Sequence, residues 1–194
     1  DARVVLDDEG KNLVLRKIAG ECEKDLKVFK GNLKKQGYIS EVKSVLSEFA
    51  QYGVDFERLD DFMKEVPPES YLHYKLDDIR TIYEKFEEYL SEKYITKEEM
   101  LDVLSDAVPY SDILKGSVVA MDGFTGFTPV QNRLIGELFS VCEKVMITVT
   151  MDGRENPYVY EHPYQIFALG KQMVTSLMKI AGEKKTEIEE PICL

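Results

Sequence analysis

The run Ser117-Val118-Val119-Ala120-Met121 is small or apolar throughout and ends in Asp122. Two valines with no alternating polarity predict a strand buried on both faces. The chain then turns through Gly123-Phe124-Thr125-Gly126-Phe127 and reaches Thr128-Pro129. Those two read as the N-cap and the first residue of a helix. Asp122 therefore falls at the carboxyl end of a strand, where open α/β sheets place their ligands. Apolar strand, Asp for a metal ion, then loop is the layout of a Walker-B strand. Asp-Gly is also an ordinary way to leave a strand, because both residues are turn formers. The longer pattern of the chain has to separate these two readings.

The chain has 194 residues, enough for one large or two small domains, and its 44% hydrophobic content is enough for a core. Its first residue is Asp1 and not Met. That start, with no apolar leader behind it, is expected for a fragment with no signal peptide. No stretch approaches the ~18 to 20 apolar residues of a membrane span. The net charge of -11 argues against a stand-alone, non-specific nucleic-acid binder, which needs a basic surface. Cys22, Cys142 and Cys193 are far apart and odd in number. They are expected as free thiols in a reducing cytoplasm rather than as a disulfide framework or zinc site. His73 and His162 have no Cys or second His at ligand spacing, so no metal site is expected of them.

Before Gly116 the apolar period is helical. Leu13, Val14, Ile18, Cys22, Leu26 and Phe29 predict a first helix over 8–29. Lys27, Lys30, Lys34 and Lys35 then complement its dipole, or alternatively contact phosphates beside Phe29 and Tyr38 as stacking residues. Ser40 is expected to cap a second helix that Gly53 stops, and a third runs over 56–66 to the Pro67-Pro68 break. A long helix follows over 71–94. Thr96 and Glu99 form a capping box for another that ends at Pro109. The first ~110 residues thus read as helices without a strand. After Gly116 the order becomes strand, helix (129–142), strand (145–150), loop, helix (163–181), with a short strand expected at 186–189. Strand–helix–strand implies a parallel pair. Two strands do not make a stable sheet alone. Val4-Val5-Leu6 and the tail, or chain outside this sequence, would complete it. The expected class is α/β, mostly helical, divided into a helical lobe over 1–115 and a partial α/β domain over 116–194.

The same order resembles superfamily-1 helicases of the UvrD and Rep type. In those a strand ending in Asp-Glu precedes a helix and a second strand ending in Gly-Asp. Here Asp122-Gly123 stands at the first strand end, Gln131 in the helix and Met151-Asp152 after the second strand. Gly123 occupies the place of the glutamate that activates water, and no glutamine follows Asp152 before Pro157. The motor motif is degenerate. The phrase Asp122-Gly-Phe-Thr-Gly-Phe-Thr-Pro129, with Leu26-Lys27-Val28-Phe29, Gly37-Tyr38, Ser47-Glu48-Phe49, Tyr52-Gly53 and the 101–104 segment, resembles the AddB (RexB) family. That family supplies the second subunit of bacterial AddAB helicase–nucleases.

The resemblance implies a slice of a longer subunit: a helical insertion (1B-like) followed by part of a RecA-like, P-loop domain (1A-like). It implies an AddA-type motor partner, and DNA ends or forks as substrate in double-strand break repair. Mg-ATP and an iron–sulfur cluster are implied for the parent subunit only. No Gly-x-x-x-x-Gly-Lys-Ser/Thr motif and no cysteine cluster occur in this chain. No cofactor, no catalytic residue and no ATP hydrolysis are therefore expected of it. Asp122 and Gly123 form a degenerate Walker B, and Lys27, Lys30, Lys34 and Lys35 are the candidate DNA contacts. The competing reading is a helical protein-interaction module with no DNA role, which the acidity favours.

Overall fold

The computed structural model describes residues 3–32, 35–91 and 93–192. Lys34 and Cys193 lie outside the described residues, as does Glu92. Contacts divide the chain into two compact units, Asp1–Met100 and Leu101–Leu194. The division falls inside a helix and not at Gly116, where the sequence changes character.

In the N-terminal unit, β1 (Val4–Leu6) pairs in parallel with β2 (Tyr94–Thr96), Val4 opposite Tyr94 and Leu6 opposite Thr96. This corrects the expectation of helices alone. It also gives Val4-Val5-Leu6 a partner other than the strand before Asp122. Between them run α1 (Asp8–Cys22), α2 (Gln36–Tyr52), α3 (Phe56–Glu65) and α4 (Tyr71–Leu90). Three begin at side-chain caps: Asp7 accepts from Gly10 N, Asp55 from Arg58 N and Ser70 from His73 N. Gly53 ends α2 with φ 64°, its N–H closing on Phe49 and Ala50 carbonyls. Leu15, Ile18, Cys22, Ile82 and Leu90 are the most enclosed parts of the core.

α1 stops at Cys22, seven residues before the periodicity does. The cause lies in α4. Asp78 is buried there, and its carboxyl oxygens accept from the backbone N–H groups of Lys27 (2.8 Å), Val28 (2.7 Å) and Phe29 (2.8 Å). Those donors are drawn out of helical register, yet Leu26 and Phe29 still reach the core. Lys27, Lys30 and Lys35 consequently do not sit on a helix C-terminus. Lys35 is the N-cap of α2, at the end where the dipole disfavours a cation, and Ser40 lies inside that helix. The long helix ends at Leu90 because Tyr94 joins β2.

α5 (Lys97–Ala107) starts at the expected capping box: Glu99 Oε2 accepts from Thr96 N at 2.7 Å, and Glu99 N donates to Thr96 Oγ1 at 3.3 Å. The C-terminal unit continues through a short 3-10 turn (Val108–Tyr110), β3 (Val118–Met121), α6 (Pro129–Val141), β4 (Lys144–Ile147) and α7 (Ala168–Lys184). β3 and β4 are parallel, Val118 opposite Lys144 and Met121 opposite Ile147. α6 opens as read from sequence, with Thr128 as N-cap and Pro129 first, and Gln131 closes a capping box. α7 packs against α6 at Gly136, where a Cβ would stand 3.2 Å from Ile180 Cγ2.

β3 is not buried on both faces. Val118 is 56% exposed and Ala120 is exposed, while Val119 and Met121 are half-buried. The described sheet here has two strands, so one of its faces stays open. β4 ends three residues early because Thr148 turns its side chain onto Asp122. α7 begins at Ala168 after a left-handed Phe167 (φ 65°) and not at Pro163. Residues 186–189 form no strand; Thr186 Oγ1 bonds Phe139 O and Glu189 pairs with Lys144 at 2.5 Å.

Candidate functional site

The carboxyl end of β3 presents Asp122 to solvent. Thr148 Oγ1, just past β4, donates to Asp122 Oδ1, and Thr148 N donates to Met121 O at 3.0 Å. The neighbouring strand thus fixes the carboxyl group from one side. Gly123 follows with φ 81°. An L-residue in that region is strained, so the backbone itself is built for glycine here. The loop closes with Phe124 and Phe127 in contact, ring centroids 5.0 Å apart. Gln131 Oε1 accepts from Thr128 N at 2.8 Å, which commits that side chain to the cap.

Asp152, beyond β4, is bound by Arg154 through Nη2 (2.6 Å) and through its backbone N (3.0 Å). The guanidinium, and then the backbone N–H, hold its carboxyl below the usual carboxylate range. Among the described residues no group of three His, Cys, Asp or Glu side chains is arranged to hold a metal ion. One exposed carboxyl group can add a ligand to a metal held by other groups. It does not supply the phosphate cradle and water-orienting residue that phosphoryl transfer requires.

The candidate lysines lie on the segment between α1 and α2. Lys27 Nζ pairs with Asp77 at 2.8 Å and sits 5.0 Å from the Tyr74 ring centroid. The hydrogen bond to Asp77 pushes its ammonium pKa up. Lys30 is exposed, and Lys35 Nζ bonds Asn32 Oδ1 at 3.2 Å. Phe29 is buried and meets Tyr38 edge to face, so it is not presented for base stacking; Tyr38 is 39% exposed. Lys43, considered with this group, faces Asp8 at 3.6 Å.

Sequence reasoning missed the buried charges that organise this unit. Asp78 belongs to the i, i+4 row Asp78–Ile82–Phe86–Leu90, all buried. Lys11 belongs to the row Lys11–Leu15–Ile18–Cys22, also buried. A charge standing in an apolar row at helical spacing was the available signal. Lys11 Nζ meets Glu98 Oε2 at 2.6 Å and Ser47 Oγ at 3.3 Å. Burial pushes the Glu98 carboxyl up, but the hydrogen bond from Lys11 and the charge behind it bring it below its ordinary value.

The family described as "ADDB, N-terminal" matches residues 1–194. The B subunit of the ATP-dependent helicase/deoxyribonuclease of Lachnoclostridium phytofermentans is 40% identical over 191 residues, 98% of this chain and 16% of the relative. The protein of the same name in a Thermoanaerobacter species is 33% identical over 95% of this chain and 16% of its own length. That of Clostridium acetobutylicum is 30% identical over 100% of this chain, again 16% of its own length. The chain thus spans about one-sixth of the curated relatives it matches. By a match that runs from its first residue to its last, the chain belongs to the AddB N-terminal family.

Proposed function

We propose that this chain is the helicase-like segment of the AddB-type subunit of an ATP-dependent helicase/deoxyribonuclease. In that role it works with an AddA-type motor subunit on double-stranded DNA ends during recombinational repair. The segment serves as a scaffold with a 1B-like helical part and a 1A-like α/β part, and it does not hydrolyse nucleotide. The observation that carries the inactive reading is Gly123, which has no carboxylate to orient water and sits at φ 81° in a turn that disfavours one. Mg-ATP and an iron–sulfur cluster belong, in this reading, to the rest of the assembly.

The test is Asp122→Ala in the intact two-subunit complex. ATP turnover and DNA-end degradation are expected to stay within about twofold of the parent, since the change removes one exposed carboxyl group. A fall of tenfold or more in ATP turnover, with assembly intact, would overturn the proposal.

A protein-interaction role without DNA contact is the second reading. It is favoured by the Asp77 partner that already neutralises Lys27, and by the net charge of -11. DNA-fork binding that weakens steeply with salt and depends on Lys27, Lys30, Lys34 and Lys35 separates the two.

A further inference from the structure

A hollow of about 20 Å³, room for a single water molecule, lies in the N-terminal unit among α1, α2, α4 and the β2–α5 junction. Its walls carry Lys11 from α1, Lys43 and Ser47 from α2, Tyr83 and Glu87 from α4, and Thr96, Glu98 and Glu99 from the junction. The donors around it are committed. Lys11 Nζ serves Glu98 and Ser47, Lys43 Nζ faces Asp8, and Tyr83 donates to Val54 O at 3.3 Å. Thr96 gives both its N–H and its hydroxyl to Glu99, at 2.7 and 2.8 Å. Glu87 is thus left with a second carboxyl group, Glu99, as its electrostatic neighbour.

We propose that the start of α5 is a proton-controlled joint. With a proton on Glu87 the Thr96–Glu99 capping box closes without opposition. Release of that proton to solvent sets a second negative charge against Glu99 and loosens the first turn of the helix. The placement matters because α5 begins at Lys97 in the N-terminal unit and ends at Ala107 in the other, so this turn is where the chain leaves its first core.

Burial, and then the Glu99 charge, raise the Glu87 carboxyl to about 7. Burial, Glu87, Glu99 and Asp55 push the Tyr83 phenol up to about 12, so it stays neutral through the same range. The direction of the pH effect follows from the raised value. In the unfolded chain Glu87 titrates near the ordinary ~4.3. Its contribution to the closed turn is full below that pH and declines as pH rises. It is gone once pH has passed through the folded value of about 7.

The test compares wild type with Glu87→Gln by backbone hydrogen exchange of residues 97–100 in this 194-residue chain, at matched pH. Exchange should be equal near pH 5 and on the order of tenfold faster in wild type near pH 8. The side-chain carboxyl ¹³C titration of Glu87 in wild type gives a second reading that needs no variant. Its midpoint should lie near 7 and fall in Glu99→Gln. Equal exchange at both pH values, or a Glu87 midpoint in the ordinary glutamate range, would overturn the proposal.

Discussion

Asp78 in α4 and Asp122 after β3 are both aspartates among apolar neighbours, and the fold treats them oppositely. Asp78 is 1% exposed and accepts from three consecutive backbone N–H groups some fifty residues away in sequence. Asp122 stands in solvent with a threonine hydroxyl on one side. The first ends α1 early and pins the lysine-bearing segment to the core. The second holds nothing together beyond the ends of two short strands. The family resemblance points to Asp122, whereas the folding of the N-terminal unit turns on Asp78. A carboxyl group's weight in a fold is set by the number of donors brought to it out of water, not by the prominence of its motif.

That contrast breaks most easily at Asp78. Replacement by alanine leaves three N–H groups, one of them fully buried, without an acceptor. Each orphaned donor costs about 1–3 kcal/mol, so Asp78→Ala should lower the unfolding free energy by about 3 kcal/mol or more. Urea denaturation followed by circular dichroism measures it. A loss below about 1 kcal/mol would mean that the 27–29 segment finds other acceptors, and the structural asymmetry between the two aspartates would disappear.

The parts of the fold that were legible in the sequence are those fixed by neighbours along the chain. Thr128 with Pro129, Thr96 with Glu99, Gly53 after α2 and the Pro67-Pro68 break all act within a single turn, and each stands where it was expected. The illegible parts depend on distant partners. The end of α1 is set by Asp78, and β1 and β2 are three residues each, with no pattern until they meet. The lysines followed the misplaced helix end, so their dipole role fell with it. Val118 shows the same limit in another form. Its apolar character is real, but covering both faces of β3 requires more sheet than the two strands described. For the site, Asp122 and its turn were legible, whereas the Thr148 hydroxyl and the left-handed Gly123 backbone were not, because neither leaves a mark in the order of residue types.

The smaller test bears on the turn itself. Gly123→Ala forces a Cβ onto a backbone at φ 81°, although nothing stands within 4 Å of where that Cβ would lie. The expected cost of about 1 kcal/mol is therefore conformational strain and not a clash. Gly126→Ala, three residues on and also in open space, lacks the positive φ and should change the unfolding free energy by less than about 0.5 kcal/mol. Both are read from urea midpoints at unchanged slope. If Gly123→Ala is as silent as its neighbour, the turn relaxes readily, and a glutamate at this position would be excluded by residue identity alone. If the pair separates as expected, the turn disfavours the water-activating carboxylate through its backbone as well. Returning a glutamate to position 123 would then strain the strand end, so restoring the residue would not by itself restore a motor.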